Sequence, residues 1–128
     1  MTTPFWCLLA VIIIPLVLSG VGGYFRGKQF GSADNNQPRA QASQLEGAGA
    51  RAYAAQANAW EALPMFIAAV LVAHLAGVPE TEATPWAIAF VVARVLHPIF
   101  YIRDLAPARS LSFLVGVVCV VALFVKAA

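Results

Sequence analysis

Four long apolar stretches alternate with three polar ones along the chain. The first has no charged residue between Thr2 and Phe25. That run predicts a transmembrane helix over residues 4–25, because roughly 20 apolar residues cross the hydrocarbon layer. It outlasts the roughly 15-residue apolar region of a signal peptide, and no basic residue precedes it. Pro15 predicts a kink of the kind membrane helices tolerate. Residues 26–47 are rich in Gly, Gln, Asn and Ser and predict an exposed loop. Pro38 argues against a helix through its middle. A second helix is expected to begin between Ser43 and Gly49 and to run over 48–77. Its first turns, Arg51 to Glu61, are alanine-rich and polar, and the rest is apolar apart from His74. It should enter the membrane near Trp60, with Pro64 bending it. An acidic turn follows over 78–85. The third span is expected over 86–104, a tight turn over Leu105–Ala108, and the fourth span over 109–126, where Lys126 snorkels. The pattern predicts one all-α domain, 1–128, folded as an integral membrane four-helix bundle.

Composition agrees with that solvent. The chain is 61% hydrophobic and 11% charged, against about 25% charged in soluble domains, too little to cover a surface in water. A net charge of +2 and the lack of a basic run interleaved with aromatics give no footing for nucleic acid. Cys7 and Cys119 lie in apolar runs without metal-ligand spacing, so they read as small buried hydrophobes, and no metal site is expected. Arg26, Lys28, Arg39 and Arg51 fall in or just after the first loop, Arg103 and Arg109 in the third, and the second holds only acids. The positive-inside rule then expects loops 26–47 and 103–109 in the cytoplasm and both termini outside.

A few polar residues interrupt the spans. Charges at the bilayer centre cost about 2.5–3.5 kcal/mol on insertion scales, so they turn inward and pair. At about 100° per residue, Arg51, Asn58 and Glu61 share one face of the second helix. Arg94, His97, Tyr101 and Asp104 share one face of the third. Two facing stripes would let Glu61 neutralise Arg94, with Asn58 and Tyr101 completing the hydrogen bonds. The plainer reading is a buried pair that fixes helix register, with His97 a structural histidine. His74 falls on the far face of its helix and reads as an interfacial or subunit-contact residue.

These residues resemble a known family. Arg51-Ala-Tyr-Ala-Ala-Gln-Ala-Asn58-Ala-Trp-Glu61-Ala-Leu-Pro64 is similar to the second-helix motif of the MAPEG superfamily, which includes microsomal glutathione transferases, leukotriene synthase and microsomal prostaglandin E synthase. Ala93-Arg94-Val-Leu-His97-Pro-Ile-Phe-Tyr101 resembles its third helix, and Arg109-Ser110-Leu-Ser112-Phe113-Leu-Val-Gly116 the start of its fourth. The three motifs occur in order and the likeness covers essentially the whole chain.

The resemblance implies a homotrimer in the lipid bilayer that binds glutathione as co-substrate between subunits, near the cytoplasmic side. Arg51, Asn58, Glu61, Arg94, His97 and Tyr101 would bind it. Arg109 would stabilise its thiolate, and Ser110 would donate to the sulfur. The substrate would be a lipophilic electrophile and the activity that of a transferase or peroxidase. The chain departs from the pattern at Ala54 and Ala57, where family members that bind glutathione carry basic residues, and at Ala50, usually acidic. Two alternatives stand beside this reading: a non-catalytic membrane subunit of the same fold, and, less favoured, a small proton-coupled multidrug transporter using Glu61.

Overall fold

The computed structural model describes residues 1–128, and all of its regular structure is helical. Helix α1 spans Thr3–Phe30, α2 Pro38–Ala42, α3 Gly47–Leu75, α4 Glu80–Ile102 and α5 Ala106–Ala127. The four long helices are each long and apolar enough to cross a membrane. Helices α3 and α4 pack on each other at the centre, and α1 and α5 each pack against both.

Several boundaries differ from the sequence expectation, and prolines account for most of them. The segment after Phe25 is not all loop. Helix α1 continues to Phe30 and ends on Gly31, whose φ of 84° lets its N–H reach the Gly27 carbonyl. Pro38 opens α2 rather than preventing it, because the first turn of a helix has no use for the missing N–H. In the same way Pro79 precedes α4 and Pro107 lies in the first turn of α5, so the expected turns over 78–85 and 105–108 are mostly helix. The loop is also tied down. Arg26 Nη1 donates to the Asp34 carbonyl at 2.9 Å and to Gln41 Oε1 at 3.2 Å. The Gln29 side chain donates to the Gln44 carbonyl and accepts from the Glu46 N–H.

Helices α3 and α4 both end in six-residue caps. The Val78 N–H reaches back to the Ala73 carbonyl around Gly77, whose φ is 77°. The Leu105 N–H reaches the Phe100 carbonyl around Asp104, whose φ is 61°. Each cap satisfies carbonyls that the helix leaves without partners. It also removes Asp104 from the stripe of Arg94, His97 and Tyr101: the helix has ended before it, and its side chain is exposed.

Between membrane helices, packing and hydrogen bonds hold the bundle, since lipid is as apolar as the core. Helix α3 buries Ala52, Ala55, Ala59, Ala62, Ala69 and Ala73, and these small side chains let its neighbours approach closely. Phe66 and Phe90 lie flat on each other at the α3–α4 contact, with centroids 4.0 Å apart and planes 6° from parallel. At Gly49 an added Cβ would lie 3.1 Å from Phe25 Cβ, a tight contact where α1 and α3 approach closely. Cys7 and Cys119 are free and buried in the apolar core.

Candidate functional site

One end of the bundle collects the polar residues. The antiparallel course of α3, α4 and α5 brings the first half of α3, the last turns of α4 and the start of α5 to the same level. Arg51 fixes that level: its Nε donates to the Ile102 carbonyl at 3.1 Å, filling an acceptor left free where α4 ends.

Deeper in the bundle, Arg94 is 2% exposed, and its Nη2 donates to Asn58 Oδ1 at 2.7 Å. The Asn58 amide in turn donates to Glu61 Oε2 at 3.4 Å. The expected direct pairing of Glu61 with Arg94 is not what forms. Asn58 stands between them, and the Glu61 side chain lies on the protomer's exposed surface rather than in its interior. Geometry explains this, because Glu61 is about 60° further round α3 than Asn58 and points past α4. Gly116 completes the enclosure of Arg94 from α5: a Cβ there would lie 3.7 Å from Arg94 Cδ and 3.5 Å from the Phe90 ring.

His97 is 2% exposed, and its Nδ1 has no hydrogen-bond partner. Its ring meets Tyr101 edge-on at 5.6 Å. Tyr101 makes no side-chain hydrogen bond, contrary to expectation. Its ring instead carries the Arg109 guanidinium, whose Cζ is 4.5 Å from the ring centroid. A cation over a tyrosine face is held by the ring quadrupole and leaves its N–H groups free to bond elsewhere.

Ser110 is exposed and makes no side-chain hydrogen bond. The buried hydroxyl on α5 is that of Ser112, which donates to the Arg109 carbonyl at 2.8 Å. The signal was in the spacing: three residues after Arg109 lies about 60° from it, whereas the next residue lies about 100° away. His74 is exposed at the other end of the bundle and packs edge-on against Phe5 at 4.9 Å. A narrow apolar slot of about 40 Å³, bounded by Met65, Phe113, Gly116 and Val120, leads from the outer surface of α3 and α5 to Arg94.

Four membrane-spanning helices, with a buried arginine bonded to the asparagine of α3 and a second arginine seated on the tyrosine of α4, are the setting for the family comparison. The family model described as "MAPEG family" matches residues 3–128. The chain belongs to the MAPEG family. Searches of curated proteins and of solved structures returned no match. The MAPEG family includes glutathione transferases and synthases as well as other members, and many of its members are trimers. In this MAPEG chain Arg51, Asn58, Arg94, His97, Tyr101 and Arg109 are gathered at one end of the bundle, and Ser110 lies at that end with its side chain exposed. Ala54 and Ala57, which replace the pattern's basic residues, bring no cation to it.

Proposed function

We propose that the chain is a glutathione-dependent membrane transferase or peroxidase acting on lipophilic electrophiles. The observation that carries this reading is the placement of Arg109: a guanidinium held on the Tyr101 ring, beside the Arg94–Asn58–Glu61 chain, with unused donors. Glutathione supplies a thiol and two carboxylates. Cations answer both, since a positive charge lowers a thiol pKa and arginine binds carboxylates with charge-assisted hydrogen bonds. Arg109 is assigned to the thiolate, with Arg51, Asn58, Glu61, Arg94, His97 and Tyr101 around the rest of the peptide. Ser110 has no place in this assignment within one protomer; the buried Ser112 orients the Arg109 backbone instead. The thiolate forms a carbon–sulfur bond with the electrophile and expels its leaving group, so the protein needs no nucleophile of its own. Cys7 and Cys119, buried in apolar core, are consistent with that.

The exposed Glu61 supports assembly into a homotrimer. A carboxylate at the level where α3 enters the apolar layer calls for cover, and a second subunit supplies it. The orientation follows the basic residues, with the Arg109 end in the cytoplasm and both termini outside.

The missing cations at Ala54 and Ala57 favour the alternative, a non-catalytic subunit of the same fold. The deciding experiment uses the purified, detergent-solubilised chain. Glutathione is titrated by calorimetry, thiolate absorbance is followed in the ultraviolet, and conjugation of a chlorinated nitroaromatic is measured. Binding, a thiolate signal and chloride release are expected, with turnover falling about 100-fold in Arg109→Ala. Unchanged turnover in Arg109→Ala would remove its assigned role. Intact protein that takes up no glutathione would establish the non-catalytic reading.

A further inference from the structure

The end of the bundle away from Arg109 holds a cavity of its own, of about 290 Å³. The antiparallel helices bring together there the start of α1, the end of α3, the start of α4 and the end of α5. Its floor is apolar and closed. Val70, Ala73, Ala83 and Leu123 are each no more than 6% exposed and belong to the main core cluster. The small side chains of Ala73 and Ala83 leave room that a leucine would fill. Its mouth is polar, formed by Thr2, His74 and Glu80. A well with apolar walls and a few polar groups at one side suits a small molecule with an apolar body and a polar head. None of its lining residues belongs to the three family motifs, so it is separate from the Arg94 and Arg109 site.

The sign of that head follows from the charges at the mouth. Histidine aside, Glu80 is the only charged residue lining the cavity. Its Oε1 accepts the Thr3 N–H at 2.7 Å, and no donor reaches its other oxygen. This bond also sets a carboxylate on the positive end of α1, which would otherwise favour an anion. The carbonyl end of α3 opens on the same mouth at Gly77, and the negative end of a helix favours a cation. Lys126, the basic residue of α5 at this end, is taken by Glu82 at 2.8 Å, and the Met1 ammonium makes no ion pair. His74 rests edge-on against Phe5, and its ring nitrogens make no hydrogen bond. The mouth thus offers free acceptors and negative potential above an apolar well.

Its height in the membrane sets the route of entry. Trp6, in the first turn of α1, is 56% exposed, and such amphipathic rings settle at headgroup level. An occupant therefore reaches the mouth from the boundary between lipid and water, where amphiphiles collect.

We propose that this cavity binds a primary ammonium carried on an apolar body, with Glu80 as its counter-ion, His74 as a further acceptor and the apolar part seated on Ala73, Ala83 and Leu123. Two sources supply that chemistry: a free lipophilic amine, and the headgroup of phosphatidylethanolamine. The test uses the full chain in phosphatidylcholine liposomes, whose headgroup has no N–H. His74 and His97 are the only histidines. Isotope-labelled histidine therefore reports both ends of the bundle by magic-angle-spinning NMR, with His74 assigned by the signal lost in His74→Gln. Phenylbutylamine is expected to shift the His74 resonance saturably and to leave His97 unmoved. Phenylbutanol, of the same shape without the charge, should bind about fivefold more weakly, the upper range for one exposed ion pair. Glu80→Gln should weaken the amine by the same factor; it keeps an oxygen for the Thr3 N–H and so keeps the fold. Ala83→Leu, which fills the well, should abolish the shift. A circular dichroism spectrum and thermal midpoint like the parent's verify both variants. A His74 shift when phosphatidylethanolamine replaces part of the phosphatidylcholine, without added amine, assigns the lipid as the source; a shift with phenylbutylamine alone assigns the free amine. No saturable shift with either, equal affinity for the alcohol, His74 and His97 moving together, or amine binding unchanged in Glu80→Gln would overturn the proposal.

Discussion

Arg94 depends on one neutral side chain. Its guanidinium is 2% exposed, and Asn58 is its only hydrogen-bond partner. Hydrogen bonds to charged groups contribute about 1.5–3 kcal/mol, and those between membrane helices average nearer 0.6 kcal/mol. Burial of the charge puts this pair at the upper end. Asn58→Leu is expected to destabilise the protein by about 2 kcal/mol in thermal or detergent unfolding. Asn58→Asp, which keeps an acceptor facing the guanidinium, should restore most of that. Equal losses in both would mean that packing, not the hydrogen bond, sets the cost. The sequence disclosed which side chains share a face within α3 and within α4, Asp104 excepted, because that follows from 100° steps along one helix. It did not disclose that Asn58 would stand between Arg94 and Glu61, because that depends on side-chain reach and on how far α3 is rotated against α4. Nor did it disclose the seat of Arg109 on Tyr101, a contact between two helices whose relative height is set by the turn joining them.

At the scale of elements, the four apolar helices were legible and their ends less so. Apolar run length decides whether a helix crosses a membrane. Inside these helices proline ends none of them, as at Pro15, Pro64, Pro85 and Pro98, whereas at the first turn it marks a beginning, as at Pro38 and Pro107. The turn between α4 and α5 shows what such ends control. It is closed by Asp104 at φ 61°, a conformation that strains a residue bearing a Cβ, and the carboxylate lies at the negative end of α4. Asp104→Gly relieves both. It is expected to raise stability by about 1 kcal/mol, read as a higher thermal midpoint with the helical circular dichroism unchanged. Arg51 braces the same turn through the Ile102 carbonyl. The turn that leads into the first turn of α5, where Arg109 lies, is thereby fixed to the start of α3 as well as to α4.

Across the whole molecule, the two ends differ in kind. One gathers Arg51, Asn58, Arg94, His97, Tyr101 and Arg109. The other closes with a single ion pair, Lys126 to Glu82 at 2.8 Å, whose side chains are 33% and 52% exposed. Such an exposed pair contributes little to stability. Glu61 belongs to neither arrangement fully: bonded to Asn58 at 3.4 Å, it still faces outward. If neighbouring subunits cover it, unfolding midpoints measured in bilayers should rise with protein-to-lipid ratio, and Glu61→Gln should flatten that dependence. A midpoint independent of dilution would leave the residue facing lipid and remove the argument for assembly. In a cell, a carboxylate covered only by neighbouring subunits would make abundance a determinant of lifetime. Sparse copies, scattered too thinly to meet, would hold an acid against the hydrocarbon and be cleared sooner than crowded ones.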